Sequence, residues 1–338
     1  MGQITSIQGN TQAAVGMTIV GTLTAVSATI SHYPVYGGQA VRYAVAALIL
    51  LFVARLRDRG TPAVRAPRWQ WPLVAVLAAT GLAGFNVCIV EGTRYTSPAT
   101  IGTVVGSVPI VLAIAAPLMG GRRPARRTVA AAAMVTVGAG VANGLGGGSL
   151  PGLLLALGAL AGEVCFSLLA IPLLPRLGAV RVSAYSAAAA VPMLFAAGLV
   201  ADGTGVVRPP TWSEAAGFAY LSLVVTAGAF ILWYDALGRI GADRAGLFAG
   251  LIPVSAVATT MALGLRTPGT GELAGALLVG LGVMLGLRRS ADRPLAVAAT
   301  ADHDDPAHDE GGNKDHTDHD HHHVDRHVVP EKAADQRI

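Results

Sequence analysis

One acidic residue, Glu163, lies inside a long apolar run of the sequence and is the first candidate for chemistry. The run extends over residues 153–171, which places Glu163 one residue from its centre. A carboxylate at that depth in a membrane is costly, so such a group faces a cavity or a partner, or carries a proton. Glu163 is therefore predicted to carry a proton or to contact a cationic part of a substrate. The alternative is a neutral glutamic acid that hydrogen-bonds a neighbouring helix for packing.

A basic residue, Arg42, is the second candidate in an apolar run. It lies about one turn inside the outer end of a run over residues 39–54. A long arginine side chain in this position could extend to the membrane surface. Alternatively, its partner could be an anionic substrate or Glu163.

Two further polar residues complete the predicted substrate or proton pathway. Asn86 lies deep in an apolar run but is uncharged, and His32 lies at the outer end of the first run, beside Tyr33. A histidine in that place is more often an interfacial residue than a pathway residue. The neighbouring pair Trp233 and Tyr234 is interpreted as part of an interfacial aromatic belt.

The composition indicates that membrane helices position these residues. Hydrophobic residues make up 53% of the chain and charged residues 13%, whereas a soluble domain has about 25% charged residues. Continuous apolar runs of about 20 residues can cross the hydrocarbon core as helices, and only helices or closed barrels satisfy their backbone there. The sequence therefore predicts an all-α integral membrane protein. The ten predicted helices cover residues 13–31, 39–54, 71–90, 98–119, 128–145, 153–171, 182–201, 213–234, 244–265 and 271–287.

The arginines outside these runs concentrate in alternate connections. One side of the predicted membrane holds 16 arginines, and the other holds three, Arg94, Arg208 and Arg266. Because basic residues favour cytoplasmic loops, both termini are predicted to be cytoplasmic. The composition, rich in Ala, Gly, Val and Arg with two lysines, points to a bacterial inner membrane.

A glycine and proline motif, G-x-x-x-G-x-x-P, occurs twice in the sequence. The copies consist of Gly102, Gly106 and Pro109, and of Gly246, Gly250 and Pro253. Glycines four residues apart allow helices to approach closely, while proline removes a backbone hydrogen bond. These positions are predicted to serve in helix packing or as hinges.

The two copies are 144 residues apart and lie in the fourth and ninth predicted helices, which indicates an internal duplication. Units of five helices enter the membrane from opposite sides, so the duplication is predicted to be inverted and suited to alternating access. The units are predicted at 13–146 and 147–290, after an N-terminal cytoplasmic segment at 1–12. The last helices match at a different offset, 142, through VGAGV at 137–141 and VGLGV at 279–283.

The two units resemble the ten-helix drug/metabolite transporters built from two EamA-type repeats. The resemblance rests on EGTRYTSPATIGTVVGSVPIVLAIAAPLMGG in the first unit, and on DALGRIGADRAGLFAGLIPVSAVATTMALGL and GELAGALLVGLGVMLG in the second. It implies the fold of that family and export of small metabolites such as amino acids. The family often has a Gly-Glu pair where this chain has Gly120-Gly121 and Gly264-Leu265, so no role of that glutamate carries over.

The segment 291–338 differs from the rest of the chain, with a net charge of −7 against +11 for residues 1–290. It is predicted to be disordered and cytoplasmic because it has few apolar residues and many charged ones. Imidazole beside carboxylates suits Zn²⁺ or Ni²⁺, although a solvated tail with no physiological metal is an equal alternative. The candidate metal ligands are His316, His319, His321, His322, His323 and His327.

The sequence favours a secondary transporter, driven by an ion gradient, such as protons, or by the gradient of its substrate. One alternative is a divalent metal transporter with a sensing tail, and a weaker one is an integral membrane enzyme. No nucleotide-binding or hydrolase motif occurs in the chain, so no cofactor is expected to be required. The expected partners are the lipid bilayer and a small molecule, not nucleic acid, and the sequence leaves the oligomeric state open.

Overall fold

The protein is described here by a computed structural model, which covers residues 2–58, 67–144, 149–264, 267 and 269–287. These residues form helices and connections, and no strand occurs among them. The α-helices are α1 Gly2–Ser27, α2 Val35–Arg57, α3 Trp71–Leu77, α4 Phe85–Gly92, α5 Pro98–Val105, α6 Val108–Met119, α7 Arg126–Asn143, α8 Leu150–Leu168, α9 Leu174–Asp202, α10 Trp212–Tyr220, α11 Ala229–Ile240, α12 Ala242–Ala245, α13 Leu251–Ala262 and α14 Thr270–Leu287.

Eight helical stretches of the described chain are long and apolar enough to cross a membrane. They are Val35–Arg57, Arg68–Gly92, Pro98–Met119, Leu150–Leu168, Leu174–Val206, Trp212–Ile240, Ala242–Ala262 and Thr270–Leu287. The prediction of an all-helical, multi-pass membrane protein is thus confirmed. Helices α1 and α7 do not belong to this set, so the full count of ten spans stays a prediction.

The first helix already includes Gly2, the first described residue, eleven residues before the predicted start of the span at residue 13. Its polar N-terminal part remains helical beyond the apolar run because it packs against α11. Gln12 Nε2 donates a hydrogen bond of 3.3 Å to Asp235 Oδ2, and Arg239 Nη1 donates one of 3.3 Å to Gln8 Oε1. Contacts with a helix more than 200 residues away therefore determine this boundary.

Helices α1 and α8 are the first helices of the two units, and each packs against helices of the other unit. Helix α1 contacts α11 and α13, whereas α8 contacts α4 and α5. Glycines allow both approaches. A Cβ added at Gly21 would collide with Ser255 of α13, and one at Gly162 would lie 2.8 Å from the Thr80 carbonyl oxygen. The first helix of each unit is therefore held by close contacts with the other unit.

Helices α7 and α14 form a glycine-packed pair, and their starts and contacts show the offset of the duplication. Helix α7 begins at Arg126 and α14 begins at Thr270, 144 residues later. A Cβ at Gly138 would lie 2.9 Å from the Gly275 carbonyl oxygen, and one at Gly282 would lie 3.0 Å from that of Ala131. The predicted offset of 142 is therefore wrong. It arose because VGAGV and VGLGV each repeat glycine every two residues, which lets the alignment slip.

The duplicated glycine and proline motif coincides with interruptions of the α-helix. Helix α5 ends before Gly106 and α6 begins at Val108, while the second copy forms a 3₁₀ turn, Gly246–Gly250, before α13. The glycines also pack closely, since a Cβ at Gly102 would lie 2.8 Å from Asn143 Oδ1. Both copies combine close packing with a helix break, and flexing at these places stays a prediction.

Two π-helical segments, Ala78–Gly84 and Leu221–Gly228, interrupt the third and eighth long helices. The sequence analysis did not predict them. Their ends correspond at offsets of 143 and 144, so they too belong to the duplication. Single π-helical turns occur frequently at functional sites. Shorter 3₁₀ turns occupy Ala28–Ile30, Arg68–Gln70 and Gly203–Val206.

Candidate functional site

Four buried aromatic residues from α2, α8 and α11 form a cluster in the interior of the bundle. This central aromatic cluster consists of Tyr43, Phe166, Phe230 and Tyr234. The ring of Phe166 lies 4.8 Å from that of Phe230 and 5.0 Å from that of Tyr234, measured between centroids. The Tyr43 and Phe230 rings are 6.3 Å apart. Centroid separations of about 4.5–7 Å are typical of aromatic pairs in contact, so the four rings pack against one another.

The cluster contains polar atoms at its edges. Asn86 Nδ2 donates a hydrogen bond of 3.3 Å to the Tyr43 hydroxyl and one of 2.7 Å to the Leu82 carbonyl in the first π-helical segment. The Tyr234 hydroxyl lies 3.5 Å from the Phe166 carbonyl oxygen, at the limit of a hydrogen bond. The structure therefore places Asn86 beside the cluster.

The interfacial interpretation of Trp233 and Tyr234 is wrong. Their relative exposures are 1% and 0%, and Trp233 Nε1 donates a hydrogen bond of 3.2 Å to Ser167 Oγ on α8. Both residues pack against α8 because the second unit folds over that helix. The sequence cannot reveal this contact, since it joins residues 66 positions apart.

Glu163 borders the central aromatic cluster from α8, one turn before Phe166. Its side chain is partly buried. Among the described residues it forms no hydrogen bond and no ion pair, so the contact expected for a packing role is not observed. The middle residue of α8, Leu150–Leu168, is Ala159. Glu163 lies about 6 Å beyond that centre along the helix axis.

Arg42 is buried inside the bundle and does not extend to the surface. It is 6% exposed, and its Nε donates a hydrogen bond of 2.6 Å to Thr226 Oγ1 in the second π-helical segment. Its Nη1 donates one of 3.3 Å to Gln39 Oε1, and its guanidinium lies 5.4 Å from the centroid of the Tyr43 ring. Helix α2 begins at Val35, so Arg42 is two turns inside it. The suggested pairing with Glu163 is not observed.

His32 lies outside this site, in an exposed turn between α1 and α2. Its carbonyl oxygen accepts a hydrogen bond of 3.3 Å from Arg208 Nη2. Arg208 also forms an ion pair with Glu214, and its hydrogen bonds to the Glu214 carboxylate raise the pKa of the Arg208 guanidinium. The interfacial interpretation of His32 fits this location better than a place in the pathway.

Two cavities of about 190 and 170 Å³ lie away from the cluster. The larger is lined by residues near Thr96 and Ser149, and the other by Asp235 and the Asp58–Arg181 ion pair. Neither is lined by Glu163 or Arg42.

No group of three or more His, Cys, Asp or Glu side chains is placed to hold a metal ion in the part of the chain that the structure describes. The six candidate tail ligands between His316 and His327 lie outside the described residues. Metal binding by the tail therefore stays a prediction.

Ionisable side chains inside the helices of a membrane protein, here the buried Arg42 and the partly buried Glu163, are typical of substrate or ion pathways. Comparison with known protein families also indicates a transporter. The model of the EamA-like transporter family matches residues 7–144 and 150–288. The chain therefore belongs to the EamA-like transporter family, and the resemblance inferred from the sequence is confirmed. Membership of a family of transporters favours transport over the membrane-enzyme alternative.

Two curated relatives are similar along most of the chain. "Uncharacterized transporter YetK" of Bacillus subtilis is 26% identical over 252 residues, which cover 72% of this chain and 76% of the relative. "Probable terminal-alkyne amino-acid exporter" of Streptantibioticus cattleyicolor is 27% identical over 273 residues, or 80% of this chain and 89% of the relative. A solved crystal structure shares the fold, with a TM-score of 0.71 and 20% identity, over 84% of this chain and 96% of its own.

Proposed function

We propose that this protein is a secondary transporter that exports amino acids or related small metabolites by alternating access. The observation that carries the proposal is the position of Glu163, a carboxyl group without a hydrogen-bond or ion-pair partner among the described residues, beside the central aromatic cluster. A group of this kind in a membrane interior marks a pathway more often than a packing contact. Glu163 either carries a proton or contacts the ammonium group of the substrate.

The duplication supports alternating access. Each unit contains a π-helical segment and an interrupted helix at the glycine and proline motif, 143 to 144 residues apart. Five helices per unit require opposite orientations in the membrane, and inverted units of this kind can rock about a central site. The arginine distribution supports placement in a bacterial inner membrane with both termini in the cytoplasm.

The choice of substrate rests on two features. The central aromatic cluster offers an apolar surface for a hydrophobic side chain, with Asn86 and Glu163 as polar neighbours. The relative from Streptantibioticus cattleyicolor bears the name of an amino-acid exporter. An amino acid with an apolar side chain therefore fits both the site and the comparison.

The test is substrate-stimulated proton flux and substrate uptake in proteoliposomes that contain the purified full-length protein. The panel is amino acids, organic cations and divalent metals, measured across a range of pH. The Glu163→Gln variant is expected to lose most of the metabolite transport or its pH dependence. Asp202→Asn is the matched control, because Asp202 is an exposed carboxylate at the end of α9. Unchanged transport and pH dependence in Glu163→Gln would remove the assigned role.

The same assay tests the alternative that the protein transports divalent metals. A full-length variant in which the six candidate tail histidines are replaced by alanine is expected to transport metabolites like the wild type. Transport of divalent metals alone, lost in that variant, would replace the proposed function with metal transport.

A further inference from the structure

The guanidinium of Arg42 is a buried cation whose hydrogen-bonding capacity is largely unused. An arginine side chain has five N–H donors, and in this structure two of them are engaged, by Thr226 and Gln39. The ion pairs found among the described residues involve other arginines. A buried charge without a counter-ion is costly. Arg42 therefore has the donors and the charge to bind an anion.

A second buried group points to the same place. Ser222 is fully buried, and its hydroxyl has no hydrogen-bond partner. It lies four residues before Thr226 within the π-helical segment Leu221–Gly228. A π-helix closes each turn with an i to i+5 bond, so residues four apart lie near the same face. Buried polar groups are nearly always satisfied, and an orphan hydroxyl calls for an explanation such as a ligand.

We propose that Arg42, Thr226 and Ser222 form a carboxylate-binding pocket for the transported substrate. This inference rests on the proposed function and assigns one end of the substrate. A guanidinium binds a carboxylate through two parallel N–H donors, and the Ser222 hydroxyl can donate a further hydrogen bond. Thr226 Oγ1 accepts from Arg42 Nε and so positions the guanidinium.

The location of the pocket defines the rest of the substrate. The guanidinium lies 5.4 Å from the centroid of the Tyr43 ring, which belongs to the central aromatic cluster. Phe230 of the same cluster follows Thr226 by one helical turn. A substrate with its carboxylate on Arg42 therefore places its apolar body on the cluster. The class assigned is that of hydrophobic monocarboxylates, including amino acids with apolar side chains.

The test compares carboxylates with their amides. Uptake of L-leucine and L-phenylalanine is measured against L-leucinamide and L-phenylalaninamide in proteoliposomes that contain the full-length protein. In parallel, the same four compounds and chloride are tested for thermal stabilisation of the protein in detergent. The wild type is expected to prefer the acids, and Arg42→Gln to lose this preference by a factor of roughly 10 to 100, the value of a charged hydrogen bond. Arg42→Lys is expected to retain part of it.

Ser222→Ala tests the proposed pocket directly, and Ser183→Ala is its matched control. Both serines are fully buried with unpartnered hydroxyls. Ser183 lies near the end of α9 where Arg181 pairs with Asp58 at the C-terminal end of α2, far from Arg42 near its N-terminal end. Ser222→Ala is expected to weaken the preference for acids several-fold, whereas Ser183→Ala is expected to leave it unchanged.

The outcomes separate the two proposals. Wild-type transport of amino acids with an unchanged acid preference in Arg42→Gln and Ser222→Ala would overturn the carboxylate pocket and leave the proposed function intact. Equal stabilisation by chloride and by the acids would assign the pocket to a simple inorganic anion and overturn the substrate assignment. Absence of any amino-acid transport or stabilisation in the wild type would overturn both.

Discussion

Arg208, in the connection between α9 and α10, forms an ion pair with Glu214 in the first turn of α10. The Glu214 carboxylate also accepts a hydrogen bond of 2.8 Å from the Thr211 backbone N–H, which completes a capping box. Arg208 lies 4.9 Å from the centroid of the Tyr33 ring and donates to the His32 carbonyl. The Glu214 carboxylate thus helps to cap α10 and also positions Arg208. Arg208 in turn links the α9–α10 connection to the turn between α1 and α2 that contains His32.

Replacement of Glu214 by alanine is expected to lower the thermal unfolding midpoint, because it removes one half of the capping box and leaves Arg208 without its partner. Glu214→Gln keeps an acceptor for the cap and is expected to lose less. The measurement is the thermal unfolding midpoint in detergent. Arg94→Ala is the control, since the Arg94–Glu91 pair is more exposed and such pairs contribute about 0–1 kcal/mol. Equal losses for Glu214→Ala and Arg94→Ala would contradict this account.

Two glycines on α14 are expected to respond in opposite ways to alanine. A Cβ at Gly282 would lie 2.7 Å from Val135 Cγ2 on α7, whereas a Cβ at Gly280 would meet nothing within 4 Å. Gly282→Ala is expected to destabilise by about 1–3 kcal/mol through overpacking, and Gly280→Ala to be neutral or stabilising by up to about 1 kcal/mol. Thermal unfolding of both variants checks the prediction. The reverse order would show that α7 and α14 pack through another face.

The hydrogen bond from Trp233 to Ser167 is expected to contribute measurably to the packing of α11 on α8. Ser167→Ala leaves the buried indole N–H unpaired, at a cost of about 1–3 kcal/mol. Ser183→Ala removes a buried hydroxyl that has no partner and is expected to be neutral or stabilising. The comparison uses unfolding midpoints and the intrinsic tryptophan fluorescence. A Ser167→Ala variant as stable as Ser183→Ala would show that the bond is unimportant.

The orientation of the chain can be tested with cysteine labelling. The native cysteines, Cys88 and Cys165, are free and partly buried, so they are first replaced by alanine. A cysteine at the exposed position His32 is then expected to react with a membrane-impermeant maleimide in intact cells. A cysteine at the exposed position Arg123 is expected to react only after the membrane is opened. Labelling of the two positions in the opposite order would invert the predicted topology.

Apolar run length predicted the helices well but their ends less well. The second run was predicted to begin at residue 39, whereas α2 begins at Val35. The residues Gly37 and Gly38 weaken the apolar signal, yet both are helical because they pack against Val206 and Phe218. Contacts between distant segments set the boundary, and with it the depth of Arg42. A sequence pattern contains no record of such contacts.

The candidate site was only partly predictable for the same reason. Glu163 and Arg42 stood out because an ionisable residue is rare in an apolar run. The aromatic side chains around them gave no such signal, since Tyr43 and Phe166 lie more than 100 residues apart in the sequence and aromatic residues are common in membrane proteins. The π-helical segment that contains Thr226 was also not predicted, because its sequence does not differ from that of an ordinary apolar helix. Both copies of the glycine and proline motif, in contrast, coincide with helix interruptions.

Because α1 and α8 each pack against the other unit, their contacts can form only at different times during translation. Helix α8 is synthesised soon after α4 and α5, so it can pack as the first unit is completed. Helix α1 must wait for α11, which starts about 200 residues later. At about 5–20 residues per second, this delay is on the order of 10–40 s. During that interval the face of α1 that contains Gly21 and packs against α11 and α13 in the finished fold lacks those partners.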